Sequence, residues 1–237
     1  MELASKSYNL SMNELLVLLA MKNARQLYGV FDKDFELPDE AEVNRIIFNL
    51  VKRGIVEIDE HARMRDDIGD LIENIRDAGM LLIATSADES IRDMAFYIGK
   101  KNTFLRFTGV ETERVRIEEA ADSELSRILF ESEWMIENNT SDMVVGDGLI
   151  KDSELCKGLF ERGKNELCEV QGVKASLILM DIADGKKIAH LLLVQDILSD
   201  YIVADDGLDR SVFQFSDRQF NEMVSNIIKK GKEKIKK

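Results

Sequence analysis

The chain reads as an α+β protein in which a pseudo-twofold duplicated, mainly antiparallel β-sheet is flanked by helices. Two stretches, residues 80 to 136 and 175 to 230, show the same order of events at an offset of roughly 95 to 98 positions. That order is an apolar strand, a short polar turn, three more strands and an amphipathic helix. Leu81, Leu82 and Ile83 answer to Leu177, Ile178 and Leu179, and Met94, Phe96 and Ile98 answer to Ala189, Leu191 and Leu193. Phe104 and Leu105 fall opposite Tyr201 and Ile202, and Val115 and Ile117 opposite Phe213 and Phe215. Strands that follow one another without intervening helices pair antiparallel, and amphipathic helices cover their apolar faces.

Three segments are expected: residues 1–65, residues 66–140 as the first half, and residues 141–237 as the second, the two halves sharing one sheet. In the first segment Ser11 and Glu14 have capping-box spacing ahead of Leu15, Leu16, Leu18 and Leu19, with Gly29 as the stop. A second helix starts after Pro38, where Asp39, Glu40 and Glu42 suit the positive end of the helix dipole. Val43, Ile46, Ile47 and Leu50 make its apolar stripe, and Gly54 provides a left-handed stop. Ile55, Val56 and Ile58 then read as a strand turning back through Met64. Two helices followed by Arg-Gly-Ile-Val-Glu-Ile and a small hairpin resemble a winged-helix module.

The first half opens with a helix over 66–78, built on Ile68, Leu71, Ile72 and Ile75. Strands follow at 80–85, 93–98, 104–107 and 114–117, then a helix over 123–137 using Leu125, Ile128, Leu129 and Ile136. The polar run Asn138, Asn139, Thr140 and Ser141 connects to the second half. There a helix with Leu155, Leu159 and Phe160 precedes strands over 174–182 and 187–195, joined by the hairpin signal Asp184-Gly185. A strand pair over 201–204 and 211–215 surrounds Gly207. Ser216 and Gln219 cap a last helix with Phe220, Met223, Val224, Ile227 and Ile228 on its buried side.

With 237 residues, 45% of them apolar, the chain can bury a core without disulfides or metals. A formal net charge of -13 repels nucleic acid and anionic membranes in the absence of a basic patch. Cys156 and Cys168 fit neither a redox pair nor a paired zinc-ligand spacing and read as structural thiols. The opening MELASKSYNL has no charged leader with an apolar run, and no stretch of about 18 apolar residues occurs. Neither a signal peptide nor a transmembrane helix is expected, and the cytoplasm is the expected compartment.

No catalytic constellation emerges, so a non-enzymatic protein is expected, with no catalytic, cofactor-binding or metal-binding residue. His61 falls in a hairpin turn and His190 at an outward strand position, neither with convergent partners. Gly146-Asp147-Gly148 lacks the continuation of a phosphate loop, and Asp205 and Asp206 lack the regular ligands of a calcium loop. Trp134, Phe31 and Phe35 read as packing residues. Lys229, Lys230, Lys232, Lys234, Lys236 and Lys237 read as a solvated helix end that complements the dipole.

Leu15-Leu16, Gly29-Val30 and Leu50-Val51-Lys52-Arg53-Gly54-Ile55, followed by two sheet-plus-helix halves, resemble the EspG family of cytosolic chaperones of type VII (ESX) secretion. The likeness lies in the order of elements over nearly the whole chain. It implies a pseudo-twofold antiparallel sheet flanked by helices, and recognition of a helical secretion substrate rather than catalysis; it transfers no contact residues. A protein partner or a second copy of the chain is therefore expected, and nucleic acid is not. The competing reading is a transcriptional regulator whose winged-helix module binds DNA through Arg45, Lys52 and Arg53, while the duplicated part senses a ligand or dimerises.

Overall fold

The computed structural model describes residues 7–30, 36–88, 93–108, 114–131, 149–150, 173–195, 200–205 and 210–235. The chain divides into two compact units, Met1–Leu81 with Met94–Ala121, and Leu82–Asp93 with Asp122–Lys237. The fold is α+β, and every strand register defined among the described residues is antiparallel.

The first unit begins with a strand absent from the sequence reading, β1 (Ser7–Ser11), followed by α1 (Met12–Met21). Ser11 caps α1 through the expected box: its Oγ accepts from Glu14 N at 3.1 Å, and Glu14 Oε2 accepts from Ser11 N at 2.8 Å. The helix stops well before Gly29. Asn23 adopts φ 59°, Asn23 N donates to Ala20 O and Ala24 N to Leu19 O, a Schellman ending with asparagine in the left-handed position usually held by glycine. Helix α2 (Glu40–Lys52) is capped by Asp39, whose carboxylate accepts from Glu42 N at 2.9 Å. It ends where Gly54 takes φ 66°, as expected. The hairpin β2 (Val56–Ile58) and β3 (Ala62–Met64) follows, then α3 (Asp66–Arg76) with Ile68, Leu71, Ile72 and Ile75 buried.

Next along the chain come β4 (Met80–Ser86), β5 (Met94–Ile98), β6 (Asn102–Thr108) and β7 (Arg114–Ala120). Within the first unit the strand order is β1-β7-β6-β5, and α3 packs on β5, β6 and β7. All five residues of β5 are buried, so this strand is covered on both faces. Phe96 stacks on Phe104 across the β5–β6 pair, ring centroids 4.7 Å apart. Tyr97 is buried with them because its hydroxyl donates to Tyr28 O at 2.7 Å, and burial raises its pKa. β1 pairs along β7, from Ser7 opposite Glu118 to Ser11 opposite Arg114. Five residues of mixed polarity give no strand period of their own; pairing with a partner about 107 positions away supplies the hydrogen bonds.

The second unit takes in β4 from Leu82 onward, a 3₁₀ turn (Asp122–Glu124), α4 (Leu125–Glu131), β8 (Leu149–Ile150), β9 (Val173–Asp181), β10 (Lys187–Gln195), β11 (Asp200–Asp205), β12 (Arg210–Gln214) and α5 (Asp217–Ile235). Its strand order is β4-β9-β10-β11-β12-β8, with Ala87 N donating to Lys174 O at 2.8 Å. Residues 188–194 of β10 are buried without a break, which marks a strand covered on both faces. Val224, Ile227, Ile228 and Gly231 form the buried stripe of α5, which packs on β9, on α4 and on the 3₁₀ turn. Lys232 Nζ meets Asp122 Oδ1 there at 2.7 Å. Ser216 provides the forward half of the expected cap, its Oγ accepting from Gln219 N at 3.2 Å.

Candidate protein-binding site

The sequence offers two turns as candidate rims for a partner, the one around residues 86–91 and the one over 184–187. Of the first, Ser86 to Asp88 are described: Ser86 Oγ accepts from Asp88 N at 3.1 Å, a local bond that holds the chain in a turn as it leaves β4. The second is described throughout. Asp181 N donates to Lys186 O at 2.9 Å, leaving Ile182–Gly185 as a four-residue loop between β9 and β10. Gly185 takes φ 67° and donates its N–H to Asp181 O at 3.0 Å. A Cβ at Gly185 would meet nothing within 4 Å, so the glycine answers a backbone requirement rather than a lack of space.

Aspartates rigidify this tip from within. Asp181 Oδ1 accepts from Ala183 N at 2.9 Å, and Asp184 Oδ1 accepts from Lys186 N at 2.9 Å, two side chains mimicking backbone turns. Lys186 Nζ closes on Asp184 Oδ2 at 3.0 Å. The Lys186 amide and ammonium hold the Asp184 carboxyl below the usual carboxylate range, and Lys234 adds a further lowering influence. Lys234 lies on the last turn of α5, the helix that packs on β9. Residues 183–187 and the α5 positions 225, 226, 229, 230, 233 and 234 are exposed. The second unit thus presents an ordered hairpin tip and an exposed helix end.

His190 is a correction to the sequence reading. It is buried at 2% exposure, not outward, because β10 is covered on both faces. Its Nε2 lies 2.8 Å from Ser176 Oγ on the adjacent strand, and it sits opposite Asp205 of β11. Burial, aided by Lys187, lowers its pKa to about 4 against a smaller opposing influence of Asp205. A neutral imidazole hydrogen-bonded to a hydroxyl inside a sheet is a packing element. His61 is exposed in the β2–β3 turn, where His61 O accepts from Asp59 N at 3.4 Å. Among the described residues no group of three or more histidines, cysteines or acids is placed to hold a metal. Asp206, the cysteines, Trp134, Phe31, Phe35, Gly146-Asp147-Gly148, Lys236 and Lys237 lie outside the described residues.

On the outer side of α2, Arg45 pairs with Glu42 at 2.5 Å, and Lys52 lies over the Phe48 ring with Nζ 4.4 Å from its centroid. Arg53 is used internally: Nη1 meets Glu14 Oε1 at 2.7 Å and Nη2 donates to Asn9 O at 2.6 Å, joining α2 to α1 and β1. Phe48 is 57% exposed and Ile58 63%. Phe48 lies off the apolar stripe of Val43, Ile46, Ile47 and Leu50, so the helical period places it outward.

No family model matches the chain, and no curated protein matches its sequence. Among the described residues no helix is long and apolar enough to cross a membrane. In fold the chain is similar to the Mycobacterium tuberculosis type VII secretion system chaperone EspG5, whose structure was solved in complex with a PE25–PPE41 dimer. The similarity has a TM-score of 0.61 at 6% sequence identity and covers 94% of this chain and 95% of that chain. The EspG-like order of elements read from the sequence is therefore present as an EspG-like fold.

Proposed function

We propose that the protein is a non-enzymatic adaptor or secretion chaperone that recognises a helical segment of another protein in the cytoplasm. The observation that carries this reading is the end-to-end likeness of its fold to EspG5, a chaperone captured with a protein dimer. The exposed β9–β10 tip and the exposed end of α5 support it, since an amphipathic helix packing into a groove is a general mode of recognition. The DNA-binding alternative draws less support. The start of α2, which would read base edges, carries Asp39, Glu40 and Glu42, and Arg53 already binds Glu14 and Asn9 O.

Copurification from the native cell followed by mass spectrometry tests this reading, with a stable helical partner as the expected result. Ala183→Arg, which adds a bulky arm at the exposed tip, should weaken capture of that partner about tenfold and leave the melting temperature unchanged. Leu191→Ala should instead destabilise the fold by about 2–5 kcal/mol, because Leu191 is buried in β10. No protein partner, together with turnover of a small molecule by the purified chain, would refute the adaptor reading.

A further inference from the structure

Strand β1 ends the strand order of the first unit: among the described residues β7 is the strand that pairs with it, so its other edge carries backbone groups that a further strand would use. Ser7, Asn9 and Ser11 turn those groups outward. Asn9 O accepts from Arg53 and Ser11 N donates to Glu14, and in an antiparallel pair the alternate residues, Tyr8 and Leu10, are the ones that address β7. An edge of this kind is a template for pairing with another chain, and proteins blunt it with charges, prolines or bulges. β1 has none of these. Ser-Tyr-Asn-Leu-Ser is uncharged and free of proline, and its register runs from Ser7 opposite Glu118 to Ser11 opposite Arg114 without a shift.

Cover for this edge comes from outside the strand. Arg53 Nη2 donates to Asn9 O at 2.6 Å, Arg53 Nη1 donates to Glu14 Oε1 at 2.7 Å, and Glu14 Oε2 accepts from Ser11 N at 2.8 Å. The path thus begins and ends on outward groups of one strand. It gives Asn9 O the donor, and Ser11 N the acceptor, that a neighbouring strand would supply. We propose that the Arg53–Glu14 pair acts as a surrogate strand that keeps the β1 edge closed to the β1 edge of a second copy of the chain. A second copy is the occupant that fits, because an uncharged edge meets its own twofold image with no like charges opposed, despite the net charge of -13 on each molecule. Without Arg53, Ser11 stays held by the α1 cap, and the opened edge offers Ser7 and Asn9, each of which pairs with the other across a twofold axis.

Sedimentation velocity on the full chain over a series of concentrations tests this. Arg53→Ala should self-associate at least about tenfold more tightly than the parent, and Arg53→Lys, which keeps the charge but loses the two-pronged reach, should fall between them. Adding Asn9→Pro to Arg53→Ala should restore the behaviour of the parent, because proline removes the outward N–H and leaves the pairing with β7 intact. Hydrogen exchange gives a second reading. In Arg53→Ala the amides of Ser7 and Asn9 should become protected as the concentration rises, while in the parent they exchange freely at every concentration. The same two readings on Arg53→Lys decide the matter if Arg53→Ala loses its cooperative melt. Association no tighter than that of the parent, association that survives Asn9→Pro, or association without protection of those two amides would overturn the proposal.

Discussion

Tyr8 of β1 donates its hydroxyl hydrogen bond to Asp67 Oδ2 at 2.6 Å, and Arg65 grips both. Arg65 Nε and Nη2 reach the two Asp67 oxygens at 2.7 and 2.9 Å, a two-pronged pairing that ties the first strand to the start of α3. Arg65, with help from Tyr8 and the Ile68 amide, holds the Asp67 carboxyl well below the usual carboxylate range. Asp67→Asn should therefore cost about 1–2 kcal/mol at neutral pH. A depressed pKa contributes stability that is complete above the unfolded value near 3.8 and drains away as pH falls through the folded one. Denaturant titrations of parent and variant should accordingly converge in acid. His190 has the same sign at higher pH. Its pKa of about 4 lies below the ordinary value of 6.5, so the unfolded chain takes up a proton first as pH falls, and stability declines between 6.5 and 4. The full decline amounts to about 3 kcal/mol. His190→Gln, which keeps a partner for Ser176, should flatten that part of the pH profile, and an unchanged slope would show that His190 does not titrate in this way.

Elements whose signals are local were legible in the sequence, and those made by distant pairing were not. The capping box of α1, the Asp39 cap of α2, the Gly54 stop and the apolar stripe of α3 lie within a few residues of the structure they specify. Strand β1 escaped notice because its partner β7 lies about a hundred residues away and supplies the order that Ser-Tyr-Asn-Leu-Ser lacks. The end of α1 was placed too late, because asparagine at position 23 adopts the left-handed conformation that the sequence reading assigned to Gly29. Burial of His190 went unseen for a related reason: alternation along β10 predicts one wet face, and only packing on both sides makes His190 and Leu192 as buried as Leu191. The candidate site was half legible. Asp184-Gly185 announced a turn and the lysine run a helix end, yet no pattern in the chain tells that α5 packs on β9.

At the scale of the whole molecule, the course of the chain decides what can fold alone. The boundary between the units falls inside β4, and the segment Leu82–Asp93 belongs to the second unit although residues on both sides of it belong to the first. The chain therefore passes between the units three times, at 81/82, 93/94 and 121/122, and no single cut separates them. A fragment of residues 66–140 would lack β1, α1 and α2, leaving the β7 edge unpaired and the part of α3 that packs on α1 open to water. A fragment of residues 150–237 would lack β4, and with it the strand beside β9. Each fragment, expressed alone, should be insoluble or lack a cooperative melt, whereas the intact chain should unfold in one transition by calorimetry and by circular dichroism. Two soluble fragments with native-like spectra and separate cooperative melts would show instead that each half carries its own fold, and that the crossings between units are connections without energetic weight.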